Sequence, residues 1–370
     1  MYKCIILSLI FLTIEIVFFR AYNLRIIYAI SPSPSGTLIP TIHILPKYQI
    51  NDNLTIPSSF NRWMEKGWIM NPMNQYGCGG CWSFAINGAL ADRYNIKYKG
   101  MFNRWLSPQW LISCDITDYN KGCEGSHDVE KAASDMSKHE EGTFLYSDYP
   151  FDRWKQKKRV NKTCVNNDEI HEEFYNCGDQ CWNSDDPLEC LNVCFEDHCV
   201  YVYTSKCLTC CLPENLRRFR TSNVRHVPSS HRNGITNAYI KHSIMTEGPV
   251  VTTFHVTEEF LDKIKSGFFK NGYIYDYDST SQITSGHAVI IVGWGQTNTS
   301  RDYWIIKNSW GIEWGMNGYF YAYTNGFSSS VVSFDAPTTI DVKNLPPLSP
   351  DQYQTGDNIR LLPPPKLDFI

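Results

Sequence analysis

The chain has 370 residues, 42% of them apolar and 14% aromatic, enough to bury a substantial core in roughly two domains and too apolar for a disordered protein. A formal charge of −4 excludes the global basic field by which proteins hold nucleic acid. The local clusters Lys155, Lys157, Lys158, Arg159 and Arg217, Arg218, Arg220 lack interleaved aromatic residues and read as solvated loops, so no nucleic-acid partner is expected.

Lys3 precedes the apolar run Ile5 to Ile14, which Glu15 interrupts before Val17 to Phe19 and Arg20. About ten apolar residues match the ~7–15-residue core of a signal peptide better than the ~20 residues of a membrane span. Residues 1–29 therefore read as a signal peptide ending near Ala29, with an uncleaved anchor as the alternative; membrane association is expected only on that alternative. Either way the body enters the secretory pathway, for a lumenal, lysosome-like or extracellular address. Residues 30–55, rich in Pro, Ser and Thr without helical period, read as a short extended leader. Asn53-Leu-Thr, Asn161-Lys-Thr and Asn298-Thr-Ser are glycosylation sequons, each requiring a lumenal surface loop.

The globular part begins near Ile56. After Cys81 the residues Trp82, Ala85, Ile86, Ala89, Leu90 and Tyr94 recur at steps of three and four, predicting a helix of roughly four turns with one apolar stripe. Leu106-Ser-Pro-Gln predicts a second helix start, with Ser107 as N-cap and Pro108 at the first helical position. Most of the fourteen cysteines lie in the middle of the chain, and residues 165–222 form a compositionally separate stretch. There Cys177-x3-Cys181 and Cys190-x3-Cys194 have the spacing to staple a helical hairpin by disulfides. Zinc at Cys207-x2-Cys210 with His198 is the alternative, and a lumenal address favours disulfides. From Ile235 the pattern changes: a helix to Glu247 stopped by Gly248-Pro249, a strand over Val250 to Val256, and a short helix over Glu258 to Lys265 closed by Gly267. Strands are then expected at Ala288 to Val292, Tyr303 to Lys307 and Tyr319 to Tyr323. Residues 343–370, with Leu-Pro-Pro-Leu-Ser-Pro and Leu-Pro-Pro-Pro, read as a solvated polyproline tail.

The chemistry concentrates in Asn74-Gln-Tyr-Gly-Cys-Gly-Gly-Cys-Trp-Ser-Phe84. A thiol attacking a carbonyl needs a lowered pKa, a base, and a donor for the developing oxyanion. A helix starting at Cys81 supplies the first, and Gln75, on the turn before it, is placed to aim its amide at the oxyanion beside the Cys81 N–H. Taken alone, Cys81 also reads as a disulfide or buried thiol. His287, in Ser-Gly-His-Ala-Val-Ile-Ile-Val-Gly-Trp-Gly, is expected to project from a strand start. If the next strand lies beside it, Asn308 of Lys-Asn-Ser-Trp-Gly accepts from one ring nitrogen and Trp310 shields that bond from water. Taken alone, Asn308 reads as a turn residue and Trp310 as core.

Together these motifs resemble the papain family of cysteine proteases, with a cathepsin B-like flavour; Cys78-Gly-Gly-Cys81-Trp82 follows that family's local signature. Further matching stretches run from Ile56-Pro-Ser-Ser-Phe through Leu106-Ser-Pro-Gln-Trp-Leu-Ile-Ser-Cys114, Gly122-Cys-Glu-Gly125, Glu247-Gly-Pro-Val, Gly286-His-Ala-Val and Asn308-Ser-Trp-Gly to about Phe334. The resemblance implies an α+β, two-lobed papain-like fold: a helical lobe over 56–164, a cysteine-rich insertion over 165–222, a β-barrel-like lobe over 223–342, and a cleft between the lobes. It implies Cys81 as nucleophile, His287 as base and then acid, Asn308 as orienter and Gln75 as oxyanion donor. Gly125, Ser126, Trp82 and Trp310 are the implied substrate contacts, and Cys78–Cys123 and Cys114–Cys164 the implied disulfides. If the remaining cysteines after the signal segment also pair, Cys81 is the one left over, as a catalytic thiol would be.

His287 lies 206 residues after Cys81, against roughly 130–150 in the family, and the cysteine-rich insertion accounts for the excess. Ser126 stands where a glycine is usual, and His127 and Asp128 replace pocket residues that are commonly aromatic or Pro. The leader is too short for the family's long inhibitory propeptide. The expected activity is hydrolysis of peptide or protein substrates through a thioester at Cys81, with no cofactor and no metal. The alternatives are a catalytically silent binding or surface protein that uses the insertion, and a peptide ligase on the same site.

Overall fold

The computed structural model describes residues 45–50, 55–114, 119–138, 142–148, 151, 217–230, 235 and 237–345. The expectations for the signal segment, the insertion with its disulfides or zinc, the Cys114–Cys164 pair, the sequons at Asn53 and Asn161, and the tail beyond residue 345 lie outside them. The first half supplies helices α1 (Arg62–Glu65), α2 (Cys81–Lys97), α3 (Pro108–Cys114) and α4 (Val129–Lys138). The second supplies β1 (Ser222–His226), α5 (Ala238–Thr246), β2 (Val250–Thr257), α6 (Glu258–Lys265), β3 (Ile274–Tyr275), β4 (Ile283–Gln296), β5 (Asp302–Lys307), β6 (Tyr319–Tyr323) and β7 (Phe327–Asp335). The strands form one sheet in the order β1-β7-β2-β4-β5-β6-β3, antiparallel except for β3 beside β6. Among the described residues no helix is long and apolar enough to cross a membrane.

Local chemistry sets several boundaries as expected. The Trp110 N–H donates to Ser107 Oγ at 3.1 Å, so Ser107 caps α3. Thr257 caps α6 through the Phe260 N–H at 3.2 Å, and Gly267 follows with φ +74. Helix α5 starts at Ala238 rather than Ile235, because Asn237 turns the chain at φ +54. Three elements carry weak sequence signals. Helix α4 follows the Asp128 cap, β1 is short and polar, and β7 is serine-rich; β7 is a strand because β1 and β2 flank it.

Helix α2 departs most from expectation. Instead of one apolar stripe, every residue from Cys81 to Asn95 is buried. Its polar side is tied to the body: Arg93 donates to the carbonyls of Pro249 at 2.8 Å, Gly248 at 3.0 Å and Phe334 at 2.6 Å. Asn95 donates to the Trp68 carbonyl at 3.0 Å. The helix lies against β4 with no room to spare, since a Cβ on Gly88 would sit 2.8 Å from Ile290 Cδ1. Strand β4, fourteen residues long and flanked by β2 and β5, divides two apolar cores. Ala288, Ile290 and Val292 join the core around α2. Val289, Ile291 and Trp294 join the core under α5 and α6, the irregularity between Ile291 and Gly293 keeping Trp294 on that side.

Two features tie the halves together. Residues 45–50, expected as free leader, run beside β1: the Tyr48 N–H donates to the His226 carbonyl at 2.8 Å, and the buried Tyr48 hydroxyl lies 2.9 Å from His242 Nδ1. After the insertion the body resumes by Phe219, whose backbone pairs with Thr143. At the interface of helix and sheet, Lys307 Nζ donates to Asp92 Oδ2 at 2.5 Å and to the Met70 carbonyl at 3.2 Å. Burial pushes the Asp92 pKa up and the Lys307 pKa down; the short ion pair opposes both shifts. Lys307→Met therefore leaves a buried carboxylate without its cation. It is expected to cost about 3–5 kcal/mol in urea unfolding, and adding Asp92→Asn should recover part of that loss.

Candidate active site

Cys81 is the first residue of α2, and the helix's first backbone bonds run from the Ser83 and Phe84 N–H groups to the Gly80 carbonyl, at 2.9 and 3.1 Å. The positive end of the helix thus lies at a buried thiol that stands outside any disulfide. The turn before it is fixed twice: Cys78 is bonded to Cys123, with Cα atoms 4.6 Å apart, and the Gly79 N–H donates to the Cys123 carbonyl at 2.7 Å. Gly80 is required there, because a Cβ would meet Ile112 Cδ1 at 2.6 Å.

Gln75 is fully buried and held from both sides. Its backbone N–H donates to the Ser309 carbonyl at 2.8 Å, its Oε1 accepts from Ser309 Oγ at 2.5 Å, and its Nε2 donates to the Cys78 carbonyl at 2.8 Å. Ser309 is the residue that sequence reasoning missed; its only signal was its place between Asn308 and Trp310. The carboxamide therefore bridges the nucleophile turn and the segment after β5.

His287 does not start its strand but is the fifth residue of β4, opposite Phe254 of β2. The sequence marks only the apolar run after it, whereas the Thr-Ser-Gly approach is held in the ladder by β2. The ring stacks on Trp310 at 4.7 Å between centroids and meets Phe254 edge-on at 5.7 Å. Because β4 and β5 are adjacent, Asn308 falls beside it, and His287 Nε2 donates to Asn308 Oδ1 at 2.8 Å. That bond places the proton on Nε2 and leaves Nδ1 as the basic nitrogen; Nδ1 is buried without a hydrogen-bond partner. Burial pushes the ring's pKa down to about 4, with the Asn308 bond pulling it upward. Asn308 is oriented in turn by the Ser309 N–H on its Oδ1 at 2.8 Å and by its own N–H on the Gly318 carbonyl at 3.0 Å. Trp310 packs edge-on against Trp314 at 4.9 Å.

Of the expected substrate contacts, Gly125 takes φ +113, open only to glycine. Ser126 is partly exposed, and its hydroxyl accepts from the Asp128 N–H at 3.2 Å. Asp128 is not a free pocket residue: its carboxylate caps α4 by accepting from the Lys131 N–H at 2.9 Å. Trp82 is corrected. It is wholly buried and its indole N–H donates to the Gly122 carbonyl at 3.2 Å, so it supports the loop leading to Gly125 instead of offering its ring to substrate.

A thiol at a helix start and a histidine–asparagine pair held on a sheet under a tryptophan are the groups that thiol peptidases use. Residues 56–333 match the family described as papain family cysteine protease, and the chain belongs to that family. It is 28% identical over 292 residues to cathepsin B-like cysteine proteinase 4 of Caenorhabditis elegans, covering 76% of this chain and 74% of that one. Over 286 residues it is 28% identical to a gut-specific cysteine proteinase of the same organism, covering 75% and 73%. The solved procathepsin B S9 of Trypanosoma congolense superposes with a TM-score of 0.55 at 19% identity, over 85% of this chain and 88% of that one. A digestive procathepsin L2 of Tenebrio molitor gives 0.52 at 20%, over 84% and 79%. These two structures show the shared fold, and the family makes the protein a cysteine peptidase.

The depressed His287 pKa sets a stability signature. Between about pH 6.5 and pH 4 the unfolded chain binds a proton at this ring that the folded chain does not, so folded stability falls as pH drops through that window. Thermal melts of the protein and a His287→Gln variant across pH 4 to 7 should show the steeper acid loss in the protein carrying His287.

Proposed function

We propose that the protein hydrolyses peptide bonds through a thioester at Cys81. The observation that carries this reading is the 2.8 Å His287–Asn308 bond, which leaves the basic Nδ1 of a neutral, sheltered ring for the thiol. In this mechanism Nδ1 takes the Cys81 proton, and the positive end of α2 favours the resulting thiolate. The sulfur attacks the substrate carbonyl. Negative charge then builds on that oxygen, for which the Cys81 backbone N–H and the Gln75 amide are the donors. His287 returns the proton to the leaving amine, and a water activated by the same nitrogen releases the acid. Asn308 holds the ring through both proton transfers, and Gly125 and Ser126 line the path of the acyl side. The substrates are peptides or proteins, and the signal-like composition of residues 1–29 supports a secretory address.

Labelling with an epoxysuccinyl probe at pH 5 to 7, followed by peptide mapping, tests the reading. Modification is expected at Cys81 and absent from Cys81→Ala, whose hydrolysis of a generic peptide should fall by at least about a thousandfold. Unmodified Cys81 in folded protein, or a Cys81→Ala variant that still cleaves, would overturn it. Asn308→Ala should keep the label but slow it, since the ring loses its orienting acceptor.

A further inference from the structure

Among the described residues three large apolar side chains are exposed: Tyr76, Met101 and Ile312. Scattered exposed apolar residues need no explanation, but two of these flank one short ladder at the site. Asn74 pairs antiparallel with Trp310, with the Gln75 N–H on the Ser309 carbonyl at 2.8 Å and the Gly311 N–H on the Met73 carbonyl at 3.0 Å. Tyr76 lies two residues past Asn74, at the Gln75 end of this antiparallel ladder, and Ile312, two past Trp310, lies at the other end. Tyr76 is 58% exposed and also holds φ +48. It occupies the first central position of the turn closed by the Cys78 N–H on the Gln75 carbonyl at 3.1 Å. Glycine or asparagine fits that conformation, whereas a bulky aromatic residue there is an outlier. The backbone is held in it from both ends, by Asn74 Oδ1 accepting from the Tyr76 N–H at 2.8 Å and by the Cys78–Cys123 bond. A strained position that carries an exposed ring beside Gln75 points to a use outside folding.

Which part of the substrate meets this ring follows from the site. His287 protonates the leaving amine, and its ring lies on Trp310, so the ladder marks the leaving-group side. Gly125 lies toward the opposite end of the turn, past the disulfide. We propose that Tyr76 is a specificity-determining residue, its exposed ring forming an apolar ledge for peptides whose residues just after the scissile bond are aromatic or large aliphatic. The inference rests on the peptidase reading above.

The test uses two peptides identical up to the scissile bond and carrying Leu or Ser immediately after it, with kcat/KM measured for each. The protein prefers Leu; Tyr76→Gly lowers that Leu-to-Ser ratio about tenfold, the scale of one apolar contact. The melting temperature holds or rises, because glycine relaxes the positive φ. Ile312→Ser, at the other end of the ladder, serves as the control and leaves the ratio unchanged. Using a ratio cancels any general loss of activity in the variant. An unchanged ratio in Tyr76→Gly overturns the proposal, and an unchanged ratio with a lowered melting temperature makes Tyr76 a structural residue. Failure of the peptidase reading is separately visible, as an unmodified Cys81 in the protein itself.

Discussion

Lys307 and Asn308 are consecutive residues at the end of β5, and the site depends on where each of them goes. Lys307 reaches Asp92 of α2 at 2.5 Å in a fully buried contact, while Asn308 reaches His287 of β4 at 2.8 Å. One end of one strand thus holds the helix that begins at Cys81 and orients the ring of His287. A buried ion pair adds little net stability over an apolar contact, but breaking one is costly. Its value here is register: α2 cannot slide along β4 without stranding Asp92, and Gly88 leaves no space for it to move inward.

The nucleophile turn is governed by a similar economy. Gln75 is bonded to Ser309 at its backbone and its side-chain oxygen, and to Cys78 through its nitrogen. The disulfide to Cys123 then fixes the far end of the same turn. Cys78 and Cys81, three residues apart and alike in the sequence, therefore do opposite things. One is spent on holding the shape of the turn, and the other is a thiol at the start of the helix. The short leader also belongs to this framework: Tyr48 is buried beside His226 and His242, so residues 45–50 are a part of the body and not a spacer before it.

His287 illustrates how fold and chemistry divide. Burial lowers the affinity of the ring for protons, and the Asn308 bond restores part of it while choosing which nitrogen is basic. Trp310 covers one face of the ring and Phe254 meets its edge, so water does not compete for that bond. None of these contacts is local in sequence.

The candidate site residues were legible in the sequence because their signals are short-range. These are a glycine turn before a helix start, a Ser-Pro cap before α3, apolar strands separated by glycine turns, and a small-residue approach to His287. Folding within a few residues obeys such signals, so Cys81, Gln75, His287 and Asn308 were all singled out, and most expected strands and helices lie within a few residues of their observed ends, β4 extending well beyond its apolar run at both. The sequence could not show that α2 is buried all round, because the partners of Asp92, Arg93 and Asn95 come from distant loops and strands. Nor could it show that serine-rich β7 is a strand, that Trp82 supports a loop instead of meeting substrate, that Ser309 clamps Gln75, or that Tyr76 is forced to a positive φ. Those outcomes depend on which buried polar groups find partners across the chain, and only tertiary packing makes that choice.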